Sequence, residues 1–454
     1  MKKTFLTNTR IIALGFFITI LVGTILLSLP ISVNNGQDVN IMTSLFTSTT
    51  SVCVTGLVLT DTFSYWSIFG KIVILILIQI GGLGIVSITT LFMLLFRKKI
   101  TLKNSLLIQD SFNLNDKQGL FKFVIKVFKG TMIIEAIGAF IYSLYFCREF
   151  GFIKGIGYSV FHSVSAFCNA GIDIIGSNSL MDYNDNPLII LNTAFLIIMG
   201  GIGFIVWWDV ADALKKAAKK ETSVKSVWNS IRLQSKLAIS ATLVLLIGGT
   251  VIIYILEHNN ADTIGEFSTG KKILNSFFQS VTLRTAGFAS FSQGALRPAT
   301  AIFCIILMFI GGSPVGTAGG IKTVTVSVLF FTVVSMIKND DDVDVFKRTI
   351  PIGIVKKAAT VFLISLGTIA VMSILLLATN DLDAVDGIYE VVSAVCTVGL
   401  SRGITSSLNT VGKIIIIICM YMGRVGPISM VIAFNSQNDK NKLFKYPEEN
   451  VIVG

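Results

Sequence analysis

Four short stretches of this 454-residue chain hold residue types whose chemistry would run through the backbone. They read FTSTTSVCVTGL (46–57), FHSVSAFCNAGI (161–172), FFQSVTLRTAGF (277–288) and YEVVSAVCTVGL (389–400). Their glycines, Gly56, Gly171, Gly287 and Gly399, lie 115, 116 and 112 residues apart. An aromatic stands ten residues before each glycine: Phe46, Phe161, Phe277 and Tyr389. Three residues before it stands Cys53, Cys168 or Cys396, with Arg284 as the exception. A glycine tolerates backbone angles closed to other residues, so successive peptide carbonyls can turn to one side. A ring of such carbonyls can replace the hydration shell of an alkali cation.

A second matching set follows each stretch: IGGLG with Gly81 and Gly82, MGGIG with Gly200 and Gly201, IGGSPVG with Gly311 and Gly312, and MGRVG with Gly423 and Arg424. Arg424 therefore occupies a position that is glycine in the other three. A guanidinium there would repel a passing cation and raise its barrier; the other reading is a snorkelling or salt-bridged structural arginine. GGSPVGTAGGIKT (311–323) lacks the spacing of a phosphate-binding loop, and no strand pattern precedes it. In an apolar region it predicts a broken helix whose loop lies in a cavity beneath the ring. Arg284 is expected to tie the rear wall of the third stretch to a carboxylate or to backbone carbonyls. Asp61 and Asp173, just beyond two tips, would either form a vestibule attracting cations or stand as solvated loop carboxylates. His162 and His258 have no ligand partner at suitable spacing.

Those stretches must be positioned by a membrane framework. The chain is 53% hydrophobic and only 14% charged, with a mean hydropathy of +0.77. Apolar runs at 11–29, 68–96, 123–146, 188–207, 237–256, 301–337, 358–377 and 411–434 each approach the ~20 residues that cross a hydrocarbon core of ~30 Å. The first run lacks a small-residue cleavage site and is expected to remain as a helix. A stretch of a dozen residues cannot cross as a helix, so each must enter and leave on one side, its irregular end shielded by protein or water. Four of them on one axis would share that shield, each short helix aiming its negative carboxyl end at the ion. Lys and Arg concentrate in the amino terminus, the loops after even-numbered runs and the carboxyl tail, which predicts cytoplasmic termini. That asymmetry, and not a nucleic-acid surface, accounts for the net charge of +11. The six cysteines show no Cys-x-x-Cys pair and read as small buried residues, not as zinc ligands or disulfides.

Units of span, pore loop and span, with VTGL, NAGI, TAGF and TVGL at the loop tips, resemble the Trk/Ktr/HKT superfamily of cation-uptake proteins. SVTLRTAGF (280–288), GGSPVGTAGGIKT and GRVGP (423–427) are the most specific pieces. The chain is most similar to the Ktr membrane subunit, since no additional amino-terminal helices of the Trk type precede its first span. The expected fold is all-α: an integral membrane protein of four tandem helix–pore loop–helix repeats, with eight transmembrane helices around one pseudo-fourfold pore. The repeats run 1–98, 99–220 with basic cytoplasmic loops, 221–340 with an intramembrane gating loop, and 341–436; 437–454 form a cytoplasmic tail.

The resemblance implies a potassium filter at Val54, Thr55 and Gly56; Asn169, Ala170 and Gly171; Thr285, Ala286 and Gly287; and Thr397, Val398 and Gly399. It implies a gate of Arg424 with Gly311, Gly312, Ser313, Pro314, Gly316, Thr317, Gly319, Gly320 and Lys322. It further implies potassium as the transported ion with sodium as an activator, a homodimer with one pore per subunit, and a cytoplasmic nucleotide-binding regulatory ring. The setting is a bacterial plasma membrane and its lipids. Glycine at position 56, where sodium-favouring plant relatives can carry serine, favours potassium. No organic cofactor and no nucleic acid are expected. The tips differ among themselves, which predicts fewer ordered ion sites than a fourfold channel has.

The basic connections 96–121 and 211–236 face phosphates, lipid headgroups or a partner, and KNDDDVDVF (338–346) adds an acidic patch after the gate-bearing span. No nucleotide-binding glycine motif opens a βαβ unit, so nucleotide sensing would reside on another polypeptide. A sodium- or proton-coupled secondary transporter is the alternative; it expects inverted repeats and buried acids, whereas the spans here hold almost no carboxylate except Glu135. No nucleophile–base constellation supports an enzyme.

Overall fold

The apolar runs become helices, and glycines set where several of them stop. The structure is a computed structural model and describes residues 8–84, 120–219, 227–426 and 449. First come α1 (Asn8–Leu27), α2 (Ile41–Cys53) and α3 (Ile68–Leu83). Then follow α4 (Leu120–Phe150), α5 (Phe152–Phe167), α6 (Pro187–Gly201) and α7 (Phe204–Ala218). The third group is α8 (Leu233–Glu257), α9 (Thr269–Thr282), α10 (Pro298–Phe309) and α11 (Thr323–Ile337). The last holds β1 (Val343–Val345), β2 (Arg348–Ile350), α12 (Ile352–Thr379), α13 (Ala384–Val395) and α14 (Thr410–Val425).

Among the described residues, three helices are long and apolar enough to cross a membrane: α1 over Arg10–Leu27, α8, and α12. The pair α6 and α7 would make a fourth, but it bends by 95°. Their outward faces are apolar, with Val244 70% and Ile374 68% exposed, a surface that suits lipid. Among the described residues, the run 301–337 is divided into α10 and α11 by an irregular segment. In three of the four glycine motifs the helix runs through the paired position and ends after it. Gly84, Gly203 and Gly426, the last glycines of IGGLG, MGGIG and MGRVG, carry the positive φ angles (82°, 96° and 93°). The connection 96–121 up to residue 119, the tail 435–454 apart from residue 449, Pro427 and the later parts of the runs 68–96 and 411–434 lie outside the described residues, as do residues 220–226.

The short helices α2, α5 and α9 each carry several Ser or Thr, α13 a single Ser, and all four are buried toward their carboxyl ends. Some hydroxyls of α2 and α5 bond back to the helix itself, and Ser48, Ser163 and Ser280 bond to carbonyls of the long helices, which lowers the cost of burying them. Thr49 Oγ1 donates to the Leu45 carbonyl at 2.7 Å, Ser51 Oγ to Thr47 at 2.6 Å and Ser159 Oγ to Gly155 at 2.7 Å. Asn40 caps α2, accepting from the Met42 amide at 2.8 Å, and Asp383 caps α13, accepting from Val385 at 2.8 Å.

Each short helix packs between long ones in a cyclic order. α2 contacts α1, α3 and α14; α5 contacts α4, α6 and α3; α9 contacts α8 and α6; α13 contacts α12, α14 and α10. The contact of α2 with α14 brings the last helix onto the first group, and the Tyr421 hydroxyl donates to the Ala13 carbonyl at 2.8 Å across that seam.

The fold is not purely α. The acidic stretch 338–346 runs into an antiparallel hairpin, β1 with β2, paired in the register Val343 with Ile350. Its turn residues Phe346 and Lys347 both take positive φ, 51° and 61°. Val343, Val345 and Ile350 bury against Val328, Leu237 and Val355 in a small second core. Hydrophobic alternation (Val343, Val345) overrides the acidic character of the stretch.

Candidate functional site

The four tips meet. α2 ends at Cys53, and Val54 turns into the left-handed region with φ 56°. Asn169, Thr285 and Thr397 do the same at φ 59°, 66° and 52°, and Gly56, Gly171, Gly287 and Gly399 follow two residues on with φ 105°, 64°, 80° and 93°. A methyl group on Gly56 would lie 2.6 Å from the Ala170 carbonyl oxygen; on Gly171, 2.6 Å from that of Ala286; on Gly287, 2.8 Å from that of Val398. On Gly399 it would collide with the Thr55 carbonyl oxygen. Each tip's glycine thus lies beside a carbonyl of the next tip, and the fourth tip's glycine lies beside the first tip's carbonyl. All twelve tip residues named above are buried.

Hydroxyls hold the tips in this form. Thr50 Oγ1 accepts from the Gly56 amide at 2.9 Å and Ser393 Oγ from the Gly399 amide at 3.1 Å. Ser165 Oγ donates to the Ile172 carbonyl at 2.6 Å and Thr282 Oγ1 to the Phe288 carbonyl at 2.7 Å. Each such bond is worth ~1 kcal/mol net, and leaving the buried amide unpaired costs more. Four helix carboxyl ends, each carrying ~0.5 of a negative charge, approach the ring together.

Against the tips lies the segment between α10 and α11. Gly312 donates its amide to the Gly319 carbonyl at 3.3 Å, which folds the segment back on itself. Ser313 donates its amide to Gly201 at 2.8 Å and Thr317 its amide to Gly200 at 3.1 Å, so the segment lies on the α6–α7 break. Pro314 and Gly316 crowd the same break: a methyl on Gly203 would collide with the Pro314 carbonyl, and one on Gly316 would sit 2.7 Å from that of Gly200. Gly319 donates its amide to Thr285 Oγ1 at 3.0 Å, and a methyl there would collide with Thr397 Oγ1. Gly320 takes φ 64° against Gly311. Lys322 Nζ turns back to the Ala318 carbonyl at 2.6 Å. Arg424 donates Nη1 to the Thr317 carbonyl at 2.7 Å and Nη2 to the Gly81 carbonyl. One guanidinium therefore fastens the segment to the end of α3.

On the opposite face of the ring lies a cavity of about 170 Å³ lined by the four glycines, Asp61, Asp173 and Ser401 among others. Asp61 is not a free vestibule carboxylate: it caps a short turn, accepting from the Phe63 and Ser64 amides at 3.1 Å each. Burial pushes the Asp173 carboxyl up to about 7, the Ser179 hydroxyl opposes this, and the Asp61 charge adds to it.

Residues 6–446 match the TrkH family, described as a cation transport protein. The chain belongs to the TrkH cation transport family. It is 39% identical over 99% of its length, and 98% of the relative's, to a potassium/sodium uptake protein, NtpJ, of Enterococcus hirae. It is 37% identical to the Ktr system potassium uptake protein B of Bacillus subtilis, covering 99% and 97% of the two chains. Its fold resembles the crystal structure of the potassium transporter TrkH from Vibrio parahaemolyticus, with TM-score 0.75 at 16% identity over 96% of this chain and 86% of that one. The relatives are transport proteins, not enzymes.

Within this TrkH-family chain, one site residue departs from its expected surroundings. Arg284 is buried, but its Nε and Nη2 have no hydrogen-bond partner, so the expected carboxylate or carbonyl tie is not made by them. Its backbone joins the site, the Arg284 carbonyl accepting from Asn169 Nδ2 at 3.4 Å. Sequence reasoning passed over Ser165 and Ser393, although a hydroxyl stands six residues before three of the four glycines, at Thr50, Ser165 and Ser393, with Val281 in the third. Glu257 was also missed: its buried carboxylate accepts from Thr263 Oγ1 at 2.7 Å and from the Arg297 amide at 3.1 Å, and so ties the end of α8 to the start of α10.

Proposed function

We propose that this chain takes up potassium through the ring of tip carbonyls, with the segment 310–322 and Arg424 as its gate. The observation that carries the reading is the ring itself: each glycine lies against the carbonyl of the neighbouring tip, around a full circle. Carbonyls of Val54–Gly56, Asn169–Gly171, Thr285–Gly287 and Thr397–Gly399 would replace the ion's hydration shell. The membrane potential, worth about 2.3 kcal/mol per charge per 100 mV, would drive entry. The fixed positive charge of Arg424 and the segment it fastens would close the path on one side of the ring.

The same reading carries the finer architecture: four span–loop–span units with boundaries near 98, 220, 340 and 436, eight spans, and the cavity with Asp61 and Asp173 on the outer face. It also carries cytoplasmic termini, a plasma-membrane setting, a homodimer and a separate nucleotide-binding regulatory ring. The relatives' names support potassium as cargo, and the potassium/sodium name of NtpJ supports a sodium contribution.

The test is potassium uptake in a transport-deficient host. Gly56→Ser puts a side chain within 2.6 Å of the Ala170 carbonyl at φ 105°, and should cut potassium uptake roughly tenfold or more, since such a clash and strained backbone together cost ~2 kcal/mol. Gly403→Ala, at φ 98° with nothing within 4 Å, serves as the control for strain alone and should keep uptake. Equal uptake and ion preference in wild type and Gly56→Ser would remove the ring from the ion path.

A further inference from the structure

Of the four left-handed tip residues, Val54, Asn169, Thr285 and Thr397, two have side-chain bonds to neighbouring segments. Asn169 Oδ1 accepts from Thr317 Oγ1 at 3.0 Å, and Asn169 Nδ2 reaches the Arg284 carbonyl at 3.4 Å. Thr285 Oγ1 accepts from the Gly319 amide at 3.0 Å. Val54 has no polar side chain, and Thr397 Oγ1 has no hydrogen-bond partner. The side chains by which Asn169 and Thr285 depart from Val54 are thus bonded to the segment beneath the ring.

Thr317 is the centre of this contact. It is buried, and it uses every polar group it has: its amide donates to Gly200 at 3.1 Å and its carbonyl accepts from Arg424 Nη1 at 2.7 Å. Its hydroxyl lies 3.0 Å from both the Phe167 carbonyl and Asn169 Oδ1. Space for the pair exists because position 200 is glycine: a methyl there would lie 2.6 Å from Thr317 Oγ1 and 2.9 Å from Asn169 Oδ1. A hydroxyl proton can serve one acceptor at a time, so it is shared between the end of α5 and the tip that follows it.

We propose that Thr317 and Asn169 form a clasp that couples the position of the gating segment to the order of the second tip. Thr317 and Asn169 are positioning residues in this scheme, and the inference rests on the gate reading given above. With the segment in place, the second tip is held from beneath at Asn169 and at the Phe167 carbonyl. When the segment leaves, Asn169 loses its acceptor bond and the tip is held only by Ser165 and by its reach to Arg284. Flux and ion preference are then linked through one hydrogen bond.

The test uses the full chain in a transport-deficient host, with uptake of potassium and of sodium normalised to protein in the membrane fraction. Thr317→Val removes the hydroxyl at constant shape, and Asn169→Gly removes the amide while keeping the left-handed backbone free of strain. Each should raise potassium uptake roughly fivefold and lower the potassium-over-sodium ratio, the effect of losing one buried hydrogen bond. The double variant should match the larger single variant, and Thr317→Ser should restore what Thr317→Val changes, a rescue that also excludes misfolding. Multiplicative effects in the double variant, or rises in flux with no change in ion preference, would overturn the clasp. Arg424→Ala separates the two claims. Raised flux in Arg424→Ala beside wild-type flux in Thr317→Val removes the clasp and leaves the gate, whereas wild-type flux in both removes the gate and the clasp with it.

Discussion

At the scale of single residues, the ring leaves one carboxyl poised to titrate. Asp173, held up to about 7 chiefly by burial, lines the cavity beyond the glycines. Above pH 7 it is a carboxylate that draws cations to the ring; below, it is neutral. Potassium uptake at subsaturating potassium should therefore fall about two- to threefold from pH 8 to pH 6, the loss expected for one partly screened charge. Asp173→Asn should flatten the dependence and hold uptake at the low-pH level. A pH profile unchanged by Asp173→Asn would place the titration elsewhere. The glycines were legible in the sequence because four copies of one constraint, a turn no side chain tolerates, fell in register. The pairing of Asn169 with Thr317 was not, since it joins residues 148 apart whose types are ordinary for a tip and a loop. Arg284 was legible as an oddity but not in its surroundings, because a charge in an apolar stretch announces itself and its neighbours do not.

At the scale of elements, the short helices were legible from their mixed hydroxyl and apolar composition, and hydroxyls bonded to carbonyls of their own or a neighbouring helix explain how such helices stay buried. The hairpin was hidden. Two-residue turns of this kind favour Asn-Gly, and here Phe346 and Lys347 hold the positive φ angles instead. Among the described residues, no side-chain hydrogen bond of Lys347 offsets that conformation, whereas Phe346 stacks edge-on with Trp228 at 5.9 Å. Lys347→Gly should stabilise the chain by about 1 kcal/mol, seen as a higher midpoint in thermal unfolding of the detergent-solubilised protein. A lowered midpoint would show that the lysine side chain contributes more than its backbone costs. The late breaks at Gly84, Gly203 and Gly426 were present in the sequence as the last glycine of each motif. The pairs recur 24 to 29 residues after the tip glycines, but in three of the four motifs they are helical residues that allow close packing. Gly81 lies against the Val52 carbonyl, Gly200 against that of Phe167 and Gly423 against that of Val395.

At the scale of the whole molecule, the family match and the fold likeness agree with the resemblance carried by the tip motifs. The four tips are similar without being interchangeable, because the segment that lies against them follows the third and Arg424 follows the fourth. The joint between the fourth tip and the first is as close as the others, Gly399 lying directly against Thr55. Gly399→Ala should therefore reduce potassium uptake as much as Gly171→Ala, within about threefold, since both place a methyl against a neighbouring carbonyl at positive φ. A mild effect at Gly399 beside a severe one at Gly171 would mean that the seam is loose in the working protein.

That seam also fixes an order of events during synthesis. The ribosome delivers α1 and α2 early and α14 late, yet α14 lies against both, joined to α1 through Tyr421 and Ala13. Until the last group enters the bilayer, the first tip has no partner on one side, and its glycine-freed carbonyls face whatever fills the gap. A nascent chain stalled before Ala384 would hold an open arc in place of a ring, with polar backbone exposed at membrane depth. Insertion machinery or bound lipid would have to cover that edge during the interval, and quality control could recognise it by the same exposed carbonyls that, once the circle closes, meet the ion.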